Sequence, residues 1–241
     1  MAINSDEQQN AALSWTKALT KNKEVVAENS NRLIPKGSKL NLKTPPRIKR
    51  KLSAWKGRTD RQAFWLKHNL IKKTLSGEAG EIFDELKMAR AEILGAKEYE
   101  GAKLNIQNFS CDITKNLADD EIHLSTLINL WFKNLNGFKL DKDQKRLIDQ
   151  IPNINSRNAQ RISADMISKM EDEESFLKSS LSLLNALKLL EHEKSDDQEE
   201  NEKFDEQSDE NEESLSDDMN EVENDEEPNN EIDLMQSLID E

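Results

Sequence analysis

SGEAGEIFDELKMARAEILGAKEYEGAKLNIQNF, residues 76 to 109, decides the fold of this chain. Ile82, Leu86, Ala89, Ile93 and Ala96 recur at spacings of four and three, which a 3.6-residue period gathers into one stripe along a helix. Glu81, Lys87, Arg90, Glu92 and Lys97 take the other faces, so the stripe must be buried against neighbouring elements. Glu78 and Glu81 put negative charge near the first turn, where unpaired N–H groups favour it. The pattern predicts one long helix from Ser76 to Phe109.

On the N-terminal side, Ser5 followed by Asp6 and Glu7 starts a short amphipathic helix that carries Ala11, Ala12, Trp15, Ala18 and Leu19 and ends near Thr20. Val25 and Val26 favour extended backbone. Residues 29 to 46 are rich in Asn, Lys, Pro and Gly, with Leu33, Ile34, Leu40 and Leu42 either forming a minor hairpin or draping on the helices. A second helix is expected from about Arg47 to Leu70, burying Ile48, Leu52, Trp55, Phe64, Trp65 and Leu70 or Ile71, with Gly57 as a point where it can break.

On the C-terminal side, Cys111 to Asn116 reads as a connection and Asp119-Asp120-Glu121 as a helix opening. The helix that follows is apolar on most sides, through Ile122, Leu124, Leu127, Ile128, Leu130, Trp131 and Phe132, and should be deeply buried; Asn136-Gly137 stops it. A short helix over Asp141 to Gln150 precedes Pro152. One last long helix is expected from Asn155 or Ser156, with Ile162, Met166, Ile167, Met170, Phe176, Leu177, Leu181, Leu184, Leu187 and Leu190 on its apolar side. Core packing is the ordinary use of such a stripe, and oligomerisation the alternative.

Charge divides the chain. Residues 195 to 241 hold 22 acids and one lysine, a net of −21, whereas residues 1 to 73 hold 17 Lys or Arg against five acids. High like charge with few apolar residues predicts a disordered acidic tail over 195–241, in which only Ile232, Leu234, Met235, Leu238 and Ile239 offer a short helix. The expected architecture is therefore mainly α. A multi-helix domain over residues 1–194 has a minor irregular or short β segment near residues 24–44, and the tail follows. The basic cluster of Arg47, Lys49, Arg50, Lys51, Lys56, Arg58 and Arg61, interleaved with Trp55 and Trp65, invites a nucleic-acid reading. Tryptophans at helical spacing are ordinarily core and charged helix faces ordinarily solvated, so nucleic acid is not the expected partner.

Cys111 is the single cysteine, which excludes an intrachain disulfide and a multi-cysteine metal site. The start MAINSDEQQN lacks a basic then apolar leader, and no apolar run approaches 18 residues; a cytoplasmic protein without membrane contact is expected. GxxxxGK[ST] and HExxH are absent. His68, His123 and His192 are far apart, and Glu191-His192-Glu193 reads as an exposed helix end.

Ala89-Arg90-Ala91-Glu92, then Gly95-Ala96-Lys97, then Gly101-Ala102 and Asn105, resembles the central signature of the CobT subunit of the aerobic cobaltochelatase. Weaker similarity runs from about Gln9 to Leu190 with the same order of elements. The family continues into a von Willebrand A domain with a DxSxS metal-dependent adhesion site, and no DxSxS occurs here. The chain therefore looks like a truncated or split member that binds no metal or cofactor of its own. ATP, Mg and cobalt are implied for the complex. The resemblance implies a partner set of an AAA+ ATPase subunit of the CobS type and a large corrinoid-binding subunit of the CobN type. It implies cobalt insertion during cobalamin synthesis, with this chain as an assembly or coupling subunit without catalytic residues. Arg90, Glu92, Lys97 and Glu98, off the apolar stripe, are the expected partner-binding residues. Two alternatives stay open: an acidic-tailed interaction module unrelated to chelation, and a fragment without a role of its own.

Overall fold

The computed structural model describes residues 4–116 and 122–190, less the side chains of Lys49, Arg50 and Asn116. The acidic segment, His192 and the opening at Asp119-Asp120-Glu121 lie outside the described residues. Eight helices and two short strands are present among those described, so the chain is mainly α.

The first helix, α1 (Ser5–Thr20), is capped by Asn4, whose side chain accepts from the Asp6 N–H, and it ends at Lys21 in a left-handed conformation. Two strands follow, β1 (Val26–Glu28) and β2 (Lys39–Asn41). They pair in parallel, Val26 opposite Lys39, so the segment does not fold as a hairpin. What overrides the hairpin is burial on the next helix, α2 (Lys49–His68). Leu40, Leu42 and Val25 close with Trp55 into a small apolar cluster, and the Gln62 side chain both accepts from the Asn41 N–H (2.7 Å) and donates to the Asn41 carbonyl (3.0 Å). Arg58 Nη2 donates to the Ser30 and Arg32 carbonyls at 2.9 and 3.0 Å and ties the intervening loop to the same helix.

The stretch expected as one long helix is two, α3 (Gly77–Glu98) and α4 (Glu100–Asn116), separated by Tyr99 in extended backbone. The stripe of α3 ends at Ala96, where its continuation would fall on Glu100 and Lys103. A new stripe of Ala102, Ile106 and Phe109 packs on α2 instead. Tyr99 fills the corner: its ring lies 6.1 Å from both Phe64 and Trp15, which are themselves 5.8 Å apart, joining α1, α2 and the α3–α4 joint. Cys111 to Asn116, expected as a connection, is the last turn and a half of α4. Gly57 does not break α2; it lets α4 approach. A Cβ there would lie 2.0 Å from the Asn105 carbonyl oxygen.

Beyond the undescribed residues, α5 (Leu124–Leu135) is buried almost all round and stops at Asn136, with Gly137 at φ +79. Then α6 (Lys142–Ile148) opens with a capping box between Asp141 and Gln144. The expected last long helix is a hairpin of α7 (Arg157–Ser168) and α8 (Glu173–Ala186). The run Glu171 to Glu174 is where it turns: Asp172 caps α8 by accepting from the Ser175 N–H, and folding back buries Ile162, Met166, Phe176 and Leu184 together with the core. Phe176 meets Phe132 of α5 edge-on at 5.7 Å. Ile48 and Ile167, expected inside, are exposed, and of the two alternatives Leu70 and Ile71 the first is exposed and the second half-buried; Ile48 precedes α2 and Leu70 follows it.

Candidate functional site

The signature residues of α3 and α4 meet three other helices, and most of them face inward. Glu92 is 0% exposed. Its carboxylate lies 2.8 Å from Lys133 Nζ of α5 and 3.4 Å from Arg61 Nε of α2. Arg61 Nη2 donates to both oxygens of Glu85 at 2.8 Å, and Lys133 Nζ donates to Ser110 Oγ of α4 at 3.1 Å. Asn129 Nδ2 closes the set on the Glu85 carbonyl at 3.0 Å. Two cations and two carboxylates are thus buried together, a combination tolerable only because each charge has an opposite one at contact distance.

Electrostatics follow from that burial. Desolvation pushes the Glu85 carboxyl up and the Lys133 ammonium down, in each case partly offset by the opposite charges beside it. For Arg61 the desolvation is outweighed by Glu85 and Glu92, which hold the guanidinium charged. A cavity of about 10 Å³ beside Arg61, Glu85, Ser110 and Asn129 is too small for any substrate.

Arg90 is likewise interior, 5% exposed. Its Nε donates to the Met170 carbonyl (2.9 Å), Nη1 to the His68 carbonyl (2.8 Å) and Nη2 to the Glu171 carbonyl (3.4 Å). One guanidinium therefore occupies the carbonyl-rich ends of α2 and α7 at once. Glu173 completes the junction by accepting from the Leu70 and Ile71 N–H groups. The expectation that Arg90 and Glu92 present an exposed face to a partner is thus corrected: both are buried, because charges off the stripe of α3 are covered by α5 and by the α7–α8 turn.

Lys97 and Glu98 lie at the exposed end of α3. Lys97 Nζ is 3.5 Å from Glu171 with both side chains largely in solvent, and Glu98 pairs with Lys67 and lies 3.5 Å from His68 Nε2. Burial, followed by the Lys67 charge, lowers the His68 pKa to about 4. Gly95 touches Phe64, whose ring atoms a Cβ would meet at 2.2 Å, and Ala89 is fully buried, whereas Ala96 is half-buried and Gly101 faces open space. Asn105 sits at the α2–α4 crossing, accepting from Ser53 Oγ and donating to Asp60 Oδ2, both at 2.9 Å.

Arg58 and Arg61, expected on a solvated face, are buried. No sequence pattern marks Arg61, Glu85 and Lys133 as a network. Lys133 does carry a signal: a lysine directly after Trp131 and Phe132 on a helix that is apolar on most sides is directed inward, and then needs a carboxylate.

Asp60 carries a testable consequence. Burial pushes its carboxyl up to about 6, against the opposing effects of Asn105 and Lys56. A carboxyl with a folded pKa above its unfolded 3.8 binds more protons folded than unfolded, so its contribution to stability falls between about pH 4 and 6 and is unfavourable above. Asp60→Asn should stabilise the protein at pH 7 by about 1–3 kcal/mol, since each pH unit between the folded and unfolded titrations is worth roughly 1.4 kcal/mol, and the gain should vanish below about pH 4. Urea unfolding of both proteins across that range checks it; a variant no more stable at pH 7 rules the account out.

No helix among the described residues is long and apolar enough to cross a membrane, and no group of three or more His, Cys, Asp or Glu among them is arranged to hold a metal ion. Residues 4–237 match the sequence profile of the family described as "Cobalamin biosynthesis protein CobT". No curated protein and no solved structure matches the chain.

Proposed function

This chain belongs to the CobT family of cobalamin biosynthesis proteins, and from that premise we propose that it is an assembly and coupling subunit of an ATP-dependent cobaltochelatase. In this reading the complex inserts cobalt into a corrin-ring precursor, a ligase reaction that forms metal–nitrogen bonds. An AAA+ ATPase subunit of the CobS type supplies the mechanical work, and a large subunit of the CobN type holds the corrinoid. The family match over residues 4–237 carries the proposal. The buried ionic set and the Arg90 junction support it, since they brace α2, α3, α5 and the α7–α8 hairpin, and a body that transmits force between partners needs such rigidity. Reconstitution tests it: cobalt insertion by the ATPase and corrinoid-binding subunits should require this chain. Full activity without it would discard the proposal.

At residue level, Lys97 and Glu98 remain on the proposed partner surface. Lys97→Glu should weaken association with the ATPase subunit by about 1 kcal/mol while leaving the circular-dichroism melt unchanged, because its one described ion pair is solvent-exposed and exposed pairs contribute little. Calorimetric titration gives the answer, and an unchanged affinity would remove Lys97 from that surface.

A further inference from the structure

We propose that the open edge of β1 is a docking strand for an extended acidic polypeptide. Three observations converge on it, and none depends on the chelatase reading. Among the described residues β1 is paired on one side only, to β2. In that ladder the Val26 N–H donates to the Ser38 carbonyl at 3.1 Å and the Glu28 carbonyl accepts from the Leu42 N–H at 2.9 Å. Alternation along a parallel ladder then directs the N–H and C=O of Ala27, between them, toward the unoccupied side. All three residues of β1 are exposed, and the Val26 side chain, 50% exposed, offers apolar surface beside those backbone groups.

The charge around the edge selects the partner. Of the described ionisable side chains exposed between residues 21 and 56, nine are Lys or Arg and two are acids, Glu24 and Glu28, the latter paired with Lys39 at 3.3 Å. The bond from Asn22 Nδ2 to Ser38 Oγ (3.3 Å) draws Lys21 and Lys23, which lead into β1, toward Lys36 and Lys39 at the start of β2. A strand added outside β1 would run about 5 Å from it, within the screening length of about 8 Å at physiological salt, and about 10 Å from β2, just beyond that length. A polypeptide fits better than a nucleic acid. Trp55 and Trp65 are buried, which leaves no exposed aromatic among the described residues 21–68 for bases to stack on, whereas an extended peptide backbone presents an acceptor and a donor at the spacing of the Ala27 N–H and C=O. The competing use of these lysines is to repel other strands from an edge.

Fluorescence anisotropy with the full chain separates the two. A fluorescein-labelled alternating Glu–Val peptide should bind, more tightly as salt falls, and Lys21→Glu/Lys23→Glu/Lys36→Glu should weaken it by at least ~10-fold, the effect of losing charge complementarity. Methylating alternate backbone nitrogens of the peptide should abolish binding to the unaltered protein, a test that does not rely on a variant folding. Ala27→Pro should act in the same direction, since proline is tolerated where the strand N–H faces outward. Oligo-dT that displaces the peptide at equal charge would make the face a nucleic-acid site and overturn the proposal. So would indifference to N-methylation, or failure of the peptide to bind while Lys21→Ser/Lys23→Ser/Lys36→Ser self-associates in sedimentation velocity.

Discussion

Lys133→Ala should destabilise the protein by about 3–5 kcal/mol, the cost of breaking a buried ion pair by removing one partner. Lys133 is 2% exposed at its side chain and lies 2.8 Å from a Glu92 carboxylate with no exposure at all. Removing the ammonium leaves that carboxylate with Arg61 as its remaining cation, and Arg61 is already engaged by Glu85. It also strands Ser110 Oγ at the α4–α5 contact. The double variant Lys133→Ala/Glu92→Gln should recover part of the loss, because the charge left without its partner is gone. Urea unfolding of the two single variants and the double gives the coupling directly. A single-variant loss below about 1 kcal/mol, the range of exposed pairs, would mean that the four charges do not share a dry interior.

Gly57→Ala should cost about 2 kcal/mol or more through a different mechanism. In an ordinary helix interior this change gains up to about 1 kcal/mol from propensity. Here the new Cβ would meet the Asn105 carbonyl oxygen at 2.0 Å, its carbon at 2.4 Å and the Ile106 nitrogen at 2.9 Å, all backbone atoms that no rotamer change can move. The α2–α4 crossing must open instead, pulling Ile106 and Phe109 from their seats and stretching the Ser53–Asn105–Asp60 bonds. Gly101→Ala is the matched control. Nothing lies within 4 Å of a Cβ at that position, so the propensity gain should appear unopposed. If thermal melts ranked both changes as equally harmless, the close crossing described for α2 and α4 would be wrong.

Both expectations concern residues whose type was plain in the sequence and whose place was not. The stripe Ile82, Leu86, Ala89, Ile93, Ala96 marked α3 correctly, and the same count shows where it fails: Glu100 and Lys103 occupy the next two positions, while Ala102, Ile106 and Phe109 begin a stripe of different phase. The α3–α4 joint was thus legible from periodicity, although nothing local said that Tyr99 would turn the corner by packing on Phe64 and Trp15. The α7–α8 turn was marked by Glu171 to Glu174 in the same way. An acidic run inside an apolar stripe is compatible with a continuous helix until the far half must find a core.

Local chemistry alone determined the helical class, the helix starts at Asp141 and Ser156, the stop at Asn136-Gly137 and the family signature, because periodicity and capping act within a few residues. Tertiary structure alone decided which charges are interior. Arg61, Glu85, Arg90 and Glu92 look in sequence like any solvated helix face, and Lys133, whose apolar neighbours point it inward, shows no sign in sequence of which carboxylate it meets. They are buried because α2, α3, α5 and the α7–α8 turn converge on them, and a charge leaves water only where an opposite charge or a carbonyl end is held at contact distance by another element of the fold.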